Sequence, residues 1–231
     1  MNRKLIFTTT ALTLCAFAAA AEYRSDNGVP EDGIGLNDGG NFAWMQQFSV
    51  TGGNNTLTSI STTFGGLGAP VSSGVSAGQE FKVYVWQGTP TGVGIDAPTL
   101  IAQATGIVSA GSIDTNVFQS VAINGTITGT TNFFIGASVN HAAGTRPAGL
   151  QETGSAPWPI LDKSWLAGSL TTDGFDPNNL TGGVGLFKNS DVGLDGNLML
   201  RAEAVPEPMT ITAFAAALGA LAMRRRRKSN S

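Results

Sequence analysis

Five short segments of the chain alternate apolar and polar residues with a period of two, and that alternation restricts the fold more than any other feature. In "FAWMQQFSV", Phe42, Trp44, Phe48 and Val50 share a face, with Gln46 the exception. "EFKVYVWQ" sets Phe81, Val83 and Val85 against Lys82, Tyr84 and Trp86. "NVFQSVAI" puts Val117, Val121 and Ile123 on one side, and "NFFIGASV" does the same with Phe133, Ile135, Ala137 and Val139. "NLMLRAEA" closes the set with Leu198, Leu200, Ala202 and Ala204. A period of two marks strands with one buried face. Between these segments stand "TGGNN", "GTPTGVGIDAP", "ING", "DPNN" and "DVGLDGN". There Gly and Asn supply positive φ, and Pro ends ladders. No helical stripe precedes the C-terminal tail, and no repeat recurs at a fixed period. The expected fold is all-β: one β-sandwich domain over residues 22–204, with the jelly roll as a candidate topology.

The ends of the chain read differently. Arg3 and Lys4, the apolar run "LIFTTTALTLCAF" and the small residues "AFAAAA" form the pattern of a secretory signal peptide over residues 1–21. Cleavage between Ala21 and Glu22 is expected, after a short signal helix. Cys15 lies inside that segment, so the exported chain has neither thiol nor disulfide. Leu14 is too bulky for a lipoprotein cleavage site before it. In residues 22–204, six basic residues face fifteen acidic ones, a net charge of −9. An acidic body lacks the basic footprint of a nucleic-acid binder, and anionic lipid repels it.

Catalytic and metal motifs are sparse. "GVSAG" fits G-x-S-x-G around Ser76, and Asp96 or Asp114 and then His141 follow in hydrolase order. A nucleophile elbow needs a strand before the serine and a helix after it, whereas here a loop precedes and a strand follows. The reading is therefore a turn, and a serine hydrolase is the minor alternative. His141 is the sole histidine, too few for a zinc site in a chain without available cysteine. Calcium is the one cofactor for which ligands exist: Asp191 and Asp195 with Asn197, and Asp173 and Asp176 with Asn178. Gly193 and Ala202 stand where an EF-hand loop needs ligands, and Asp and Asn are also ordinary turn residues. Trp86, Trp158 and Trp165 are candidate stacking surfaces for a glycan, which makes a carbohydrate-binding module the alternative function.

The tail, residues 205–231, joins "VPEP" to an uncharged run at residues 209–223 and then to Arg224, Arg225, Arg226, Arg227 and Lys228. As a helix the run spans about 22 Å, short of the roughly 30 Å hydrocarbon core. The basic cluster fixes its end on the cytoplasmic side. Val205, Pro206, Glu207 and Pro208, the short transmembrane helix and the Arg cluster together resemble the PEP-CTERM sorting signal of bacterial surface proteins. The resemblance covers only the tail. It implies an enveloped bacterium that makes extracellular polysaccharide, and an exosortase that recognises the motif and removes the tail. The body, transiently membrane-anchored, would then reach the cell surface or extracellular matrix as a non-enzymatic protein, with exopolysaccharide as a candidate partner.

Overall fold

The structure, a computed structural model, describes residues 20–129, 131–171 and 174–206. The expected signal helix and transmembrane helix, together with Glu207, Pro208 and residues 224–228, lie outside the described residues. Residues 20–207 belong to one compact unit.

The described chain is all-β. Its strands are β1 (Ala21–Tyr23), β2 (Asp32–Ile34), β3 (Gly40–Ser49), β4 (Thr56–Thr62), β5 (Glu80–Pro90), β6 (Ile95–Ile107) and β7 (Gln119–Thr126). They continue with β8 (Asn132–His141), β9 (Ala148–Gln151), β10 (Ser164–Ser169), β11 (Phe187–Lys188), β12 (Asn197–Leu198) and β13 (Leu200–Val205). A four-stranded sheet runs β1-β13-β4-β7, a six-stranded sheet β11-β10-β3-β8-β5-β6, and a small third sheet β12-β9-β2. Every strand pairing within them is antiparallel. This arrangement is consistent with a β-sandwich.

The alternating residues meet as the period requires. Phe42, Trp44, Val83, Val85, Phe133 and Ile135 from the large sheet join Leu57, Ile60, Leu200 and Ala202 from the four-stranded sheet in one core. Gln46, the polar exception, is fully buried because its side-chain oxygen accepts from Ser164 Oγ (2.9 Å) and the Leu198 amide (3.2 Å). Val117 departs from expectation at 53% exposure, because β7 begins only at Gln119. "GTPTGVGIDAP" is mostly strand: Pro90 already pairs with Ile95, and the turn is confined to residues 91–94, closed by Thr91 N donating to Gly94 O at 2.8 Å. "ING" likewise lies within β7, beside an irregularity in its pairing with β4.

The large sheet is buried on both faces. On its outer face Tyr84, Trp86, Phe134 and Trp165 form a second cluster with Met45 and Leu180. The segment between β10 and β11 covers it, through Phe175, Leu180 and Leu186. Trp86 donates its indole N–H to Pro177 O at 2.7 Å, and Val184 N donates to Gly168 O at 3.0 Å, so the covering segment is bonded to the sheet. Gly136 makes room for this packing: a Cβ there would lie 2.7 Å from Trp44 O and 2.8 Å from the Trp86 ring.

Candidate functional site

The three tryptophans do not assemble into a platform. Trp86 and Trp165 are fully buried, Trp86 stacked on Tyr84 with centroids 4.9 Å apart and Trp165 edge-on to Phe134 at 6.1 Å. This corrects their assignment as glycan contacts, since a stacking surface must face solvent. Trp158 is half-buried, and the Arg24 guanidinium lies 4.3 Å above its ring. Alternation placed Trp86 on the outward face of β5, but nothing in the period shows that a distant loop covers that face.

Ser76 and His141 make no hydrogen bond to one another. Ser76 is exposed in a turn, where its amide donates to Gln79 Oε1 and its carbonyl accepts from the Gln79 amide. His141 is buried at the end of β8, with both ring nitrogens engaged. Nδ1 lies 3.0 Å from Thr145 Oγ1, which itself donates to Ala142 O, and Nε2 accepts from the Leu36 amide at 3.3 Å. Those partners fix the Nδ1–H tautomer, and burial holds the imidazole pKa below its ordinary value. No free ring nitrogen faces Ser76 to serve as its base.

The calcium candidates separate as well. Asp191 sits in the 3-10 turn Ser190–Val192, where its carboxylate accepts from the Lys188 amide at 3.1 Å. Asp176 accepts from the Asn178 amide at 2.9 Å, the ordinary geometry of an Asx turn. Asp173 lies outside the described residues. Among the described residues no three acidic, histidine or cysteine side chains converge to hold a metal.

Asp195 does line a cleft of about 190 Å³, with Ile160, Asp162, Asn189, Ser190 and Leu194 among its walls. Asp162 accepts from Lys188 Nζ at 2.7 Å and Ser190 Oγ at 2.8 Å, and those two hydrogen bonds hold its carboxyl below the usual range. Asn189 is the unusual wall. It is 3% exposed, and neither its amide nitrogen nor its amide oxygen has a partner among the described residues. A buried amide without partners is costly to the fold, so a group at this place is where a ligand contact is worth seeking. Sequence reasoning missed Asn189 and Asp162, because a lone Asn or Asp in a loop has the same signature as turn chemistry.

The motif at the tail begins inside the fold. Val205 is the last residue of β13 and pairs with Thr56, while Pro206 is buried. Ala21 and Glu22 lie in β1, opposite Ala204 and Glu203. Both ends of the body therefore emerge at the same end of the same sheet. Compared with family models, curated proteins and solved structures, the chain matches none.

Proposed function

We propose that this is an exported, non-enzymatic surface or matrix protein: a β-sandwich body carrying a removable PEP-CTERM sorting signal. One observation supports the reading above the rest. The paired structure closes at Val205, on the first residue of the motif, so the residues after Pro206 contribute no strand to the described sheets. A tail that the fold does not use is a tail that a transpeptidase can remove without unfolding the product. The topology is that of a jelly roll. The rows β1-β13-β4-β7 and β3-β8-β5-β6 alternate between sheets in the order of two Greek keys, with β2 and β9–β12 as insertions. The test is intact-mass measurement on protein from its native host. The expected species begins at Glu22 and ends within residues 205–208; a mass that retains the basic cluster overturns the sorting reading.

Glycan binding is the second reading, moved from the tryptophans to the cleft at Asn189. Its unpaired amide, the Asp195 carboxylate and the Ile160 and Leu194 walls offer donors, acceptors and an apolar surface to a polyhydroxyl ligand. Saturation-transfer NMR with free hexoses should give a signal that Asn189→Ala and Asp195→Asn both abolish. Equal signals from the parent and both variants dispose of this site.

A further inference from the structure

The end of the body from which both chain termini emerge differs chemically from the rest of the surface. Register defines that end. Val205 pairs with Thr56, and Thr56 with Thr126, so the turns at residues 50–55 and 126–131 lie there. Ser49 pairs with Asn132, and Val50 N donates to Thr131 O at 2.7 Å, which brings the matching end of the large sheet alongside. Gln87 pairs with Phe133, so the β5–β6 hairpin continues past the start of β8 and its turn at residues 91–94 projects at this end too. Thr128 N donating to Gln87 Oε1 at 3.2 Å ties the hairpin to its neighbour.

In a body of net charge −9, none of residues 50–55, 91–94 and 126–131 is charged. Asp96, opposite Thr89, is set back by one pair from the hairpin turn, and Lys163 stands behind, its carbonyl bonded to the Gln47 amide. The opposite end is ordinary by comparison: Asp38 and Glu80 lie there, and Arg146 pairs with Asp32 at 2.8 Å. The hairpin turn also presents Val93 at 87% exposure, whereas the other exposed large apolar residues reach 58% at most.

Tether length makes this arrangement consequential. From Pro206 to Met209, where the apolar run begins, there are three Cα–Cα steps, at most about 11 Å. That is close to the depth of the headgroup layer on one side of a bilayer. An acidic surface held so near anionic lipid is repelled, whereas uncharged turns are not. We propose that this end of the body is a lipid-contacting surface while the tail is in place, with Val93 at the headgroup–acyl boundary. The surface rests on the reading of residues 209–223 as a membrane segment. Asp96 limits its depth: the turn enters the interface, and the hairpin behind it stays in water.

Cys15 is the only cysteine, so single-label experiments are clean. The full chain carrying Cys15→Ser would receive a nitroxide through Val93→Cys, or through Ala110→Cys, an exposed position beyond the opposite end of β6. Reconstitution uses phosphatidylethanolamine–phosphatidylglycerol vesicles. The expected result is co-flotation of both proteins. The label at 93 should be relaxed by oxygen and shielded from a water-soluble nickel chelate, and the label at 110 should behave oppositely. Co-flotation with equal nickel access at both positions overturns the lipid-contact surface and leaves the anchor intact. Failure to co-float overturns the anchor and the surface together.

Discussion

Asp26 is the most consequential charge in the body, and its removal is a quantitative test of how the two chain ends are joined. Its side chain is fully buried just beyond β1. It accepts from Arg201 Nη2 at 2.5 Å, from Arg201 Nε at 3.1 Å and from the Gly28 amide at 2.8 Å. Arg201 belongs to β13 and lies flat over the Phe118 ring at 3.7 Å. Asp26→Ala would leave that guanidinium without its closest partner. Breaking a buried pair by removing one member costs about 3–5 kcal/mol. Arg201 keeps 17% exposure and a second carboxylate, Glu22, at 3.8 Å, which sets the expected loss at the low end, about 3 kcal/mol.

With a urea slope of about 2 kcal/mol/M, that loss lowers the unfolding midpoint by about 1.5 M. Equilibrium denaturation followed by tryptophan fluorescence reads it directly, since Trp44, Trp86 and Trp165 are buried. The double variant Asp26→Ala/Arg201→Met removes the stranded charge along with its partner. It should recover about 1–2 kcal/mol relative to Asp26→Ala alone. A midpoint for Asp26→Ala within about 0.3 M of the parent refutes the argument. So does a double variant whose loss equals the sum of the two single losses.

Three other outcomes follow from the same packing. Trp86→Ala should cost about 3–5 kcal/mol in the same denaturation assay, while Trp158→Ala, on a half-buried ring, should cost far less; equal losses would contradict their placement. His141 is held neutral by burial, its folded pKa below its unfolded one. Stability is therefore intact above the unfolded value near 6.5 and declines as pH falls from there toward the folded value; thermal melts of His141→Gln should show a flatter dependence across that interval. A chain ended after Pro206 should keep the melting temperature of the longer form, because the described sheets close at Val205; a large drop would mean that the tail is part of the fold.

The strands were legible where one face is buried against one partner. Val121 and Ile123, and Leu198 through Ala204, obey the period and pack as it requires. Legibility failed where tertiary structure adds a second partner. Tyr84 and Trp86 alternate outward and are buried anyway, because residues 174–186 cross the sheet and place Phe175 and Leu180 on them. β4 was missed for the converse reason. "TLTSIST" has only Leu57 and Ile60 to signal a core strand, and its hydroxyl-bearing residues resemble a loop. The cleft was missed because Asn189 and Asp162, distant in sequence, share a site only through the β10–β11 pairing. Periodicity reports what a strand does to its own faces; it is silent about which loop arrives from elsewhere.

The same limit sharpens the meaning of the tail. Read as sequence, Val205 to Pro208 is an extended linker between a folded body and an apolar run. In the fold its first residue is the last rung of β13 and its second is buried, so the motif is shared between structure and linker. A protease that binds the whole motif as an extended strand must first separate Val205 from Thr56. The inner strand partners of β13 stay in place, held by the Arg201–Asp26 pair four residues upstream of Val205. Fraying is thereby confined to the terminal rung. Weakening that pair should loosen the whole of β13 and quicken processing along with unfolding, whereas changes at the cleft should alter neither.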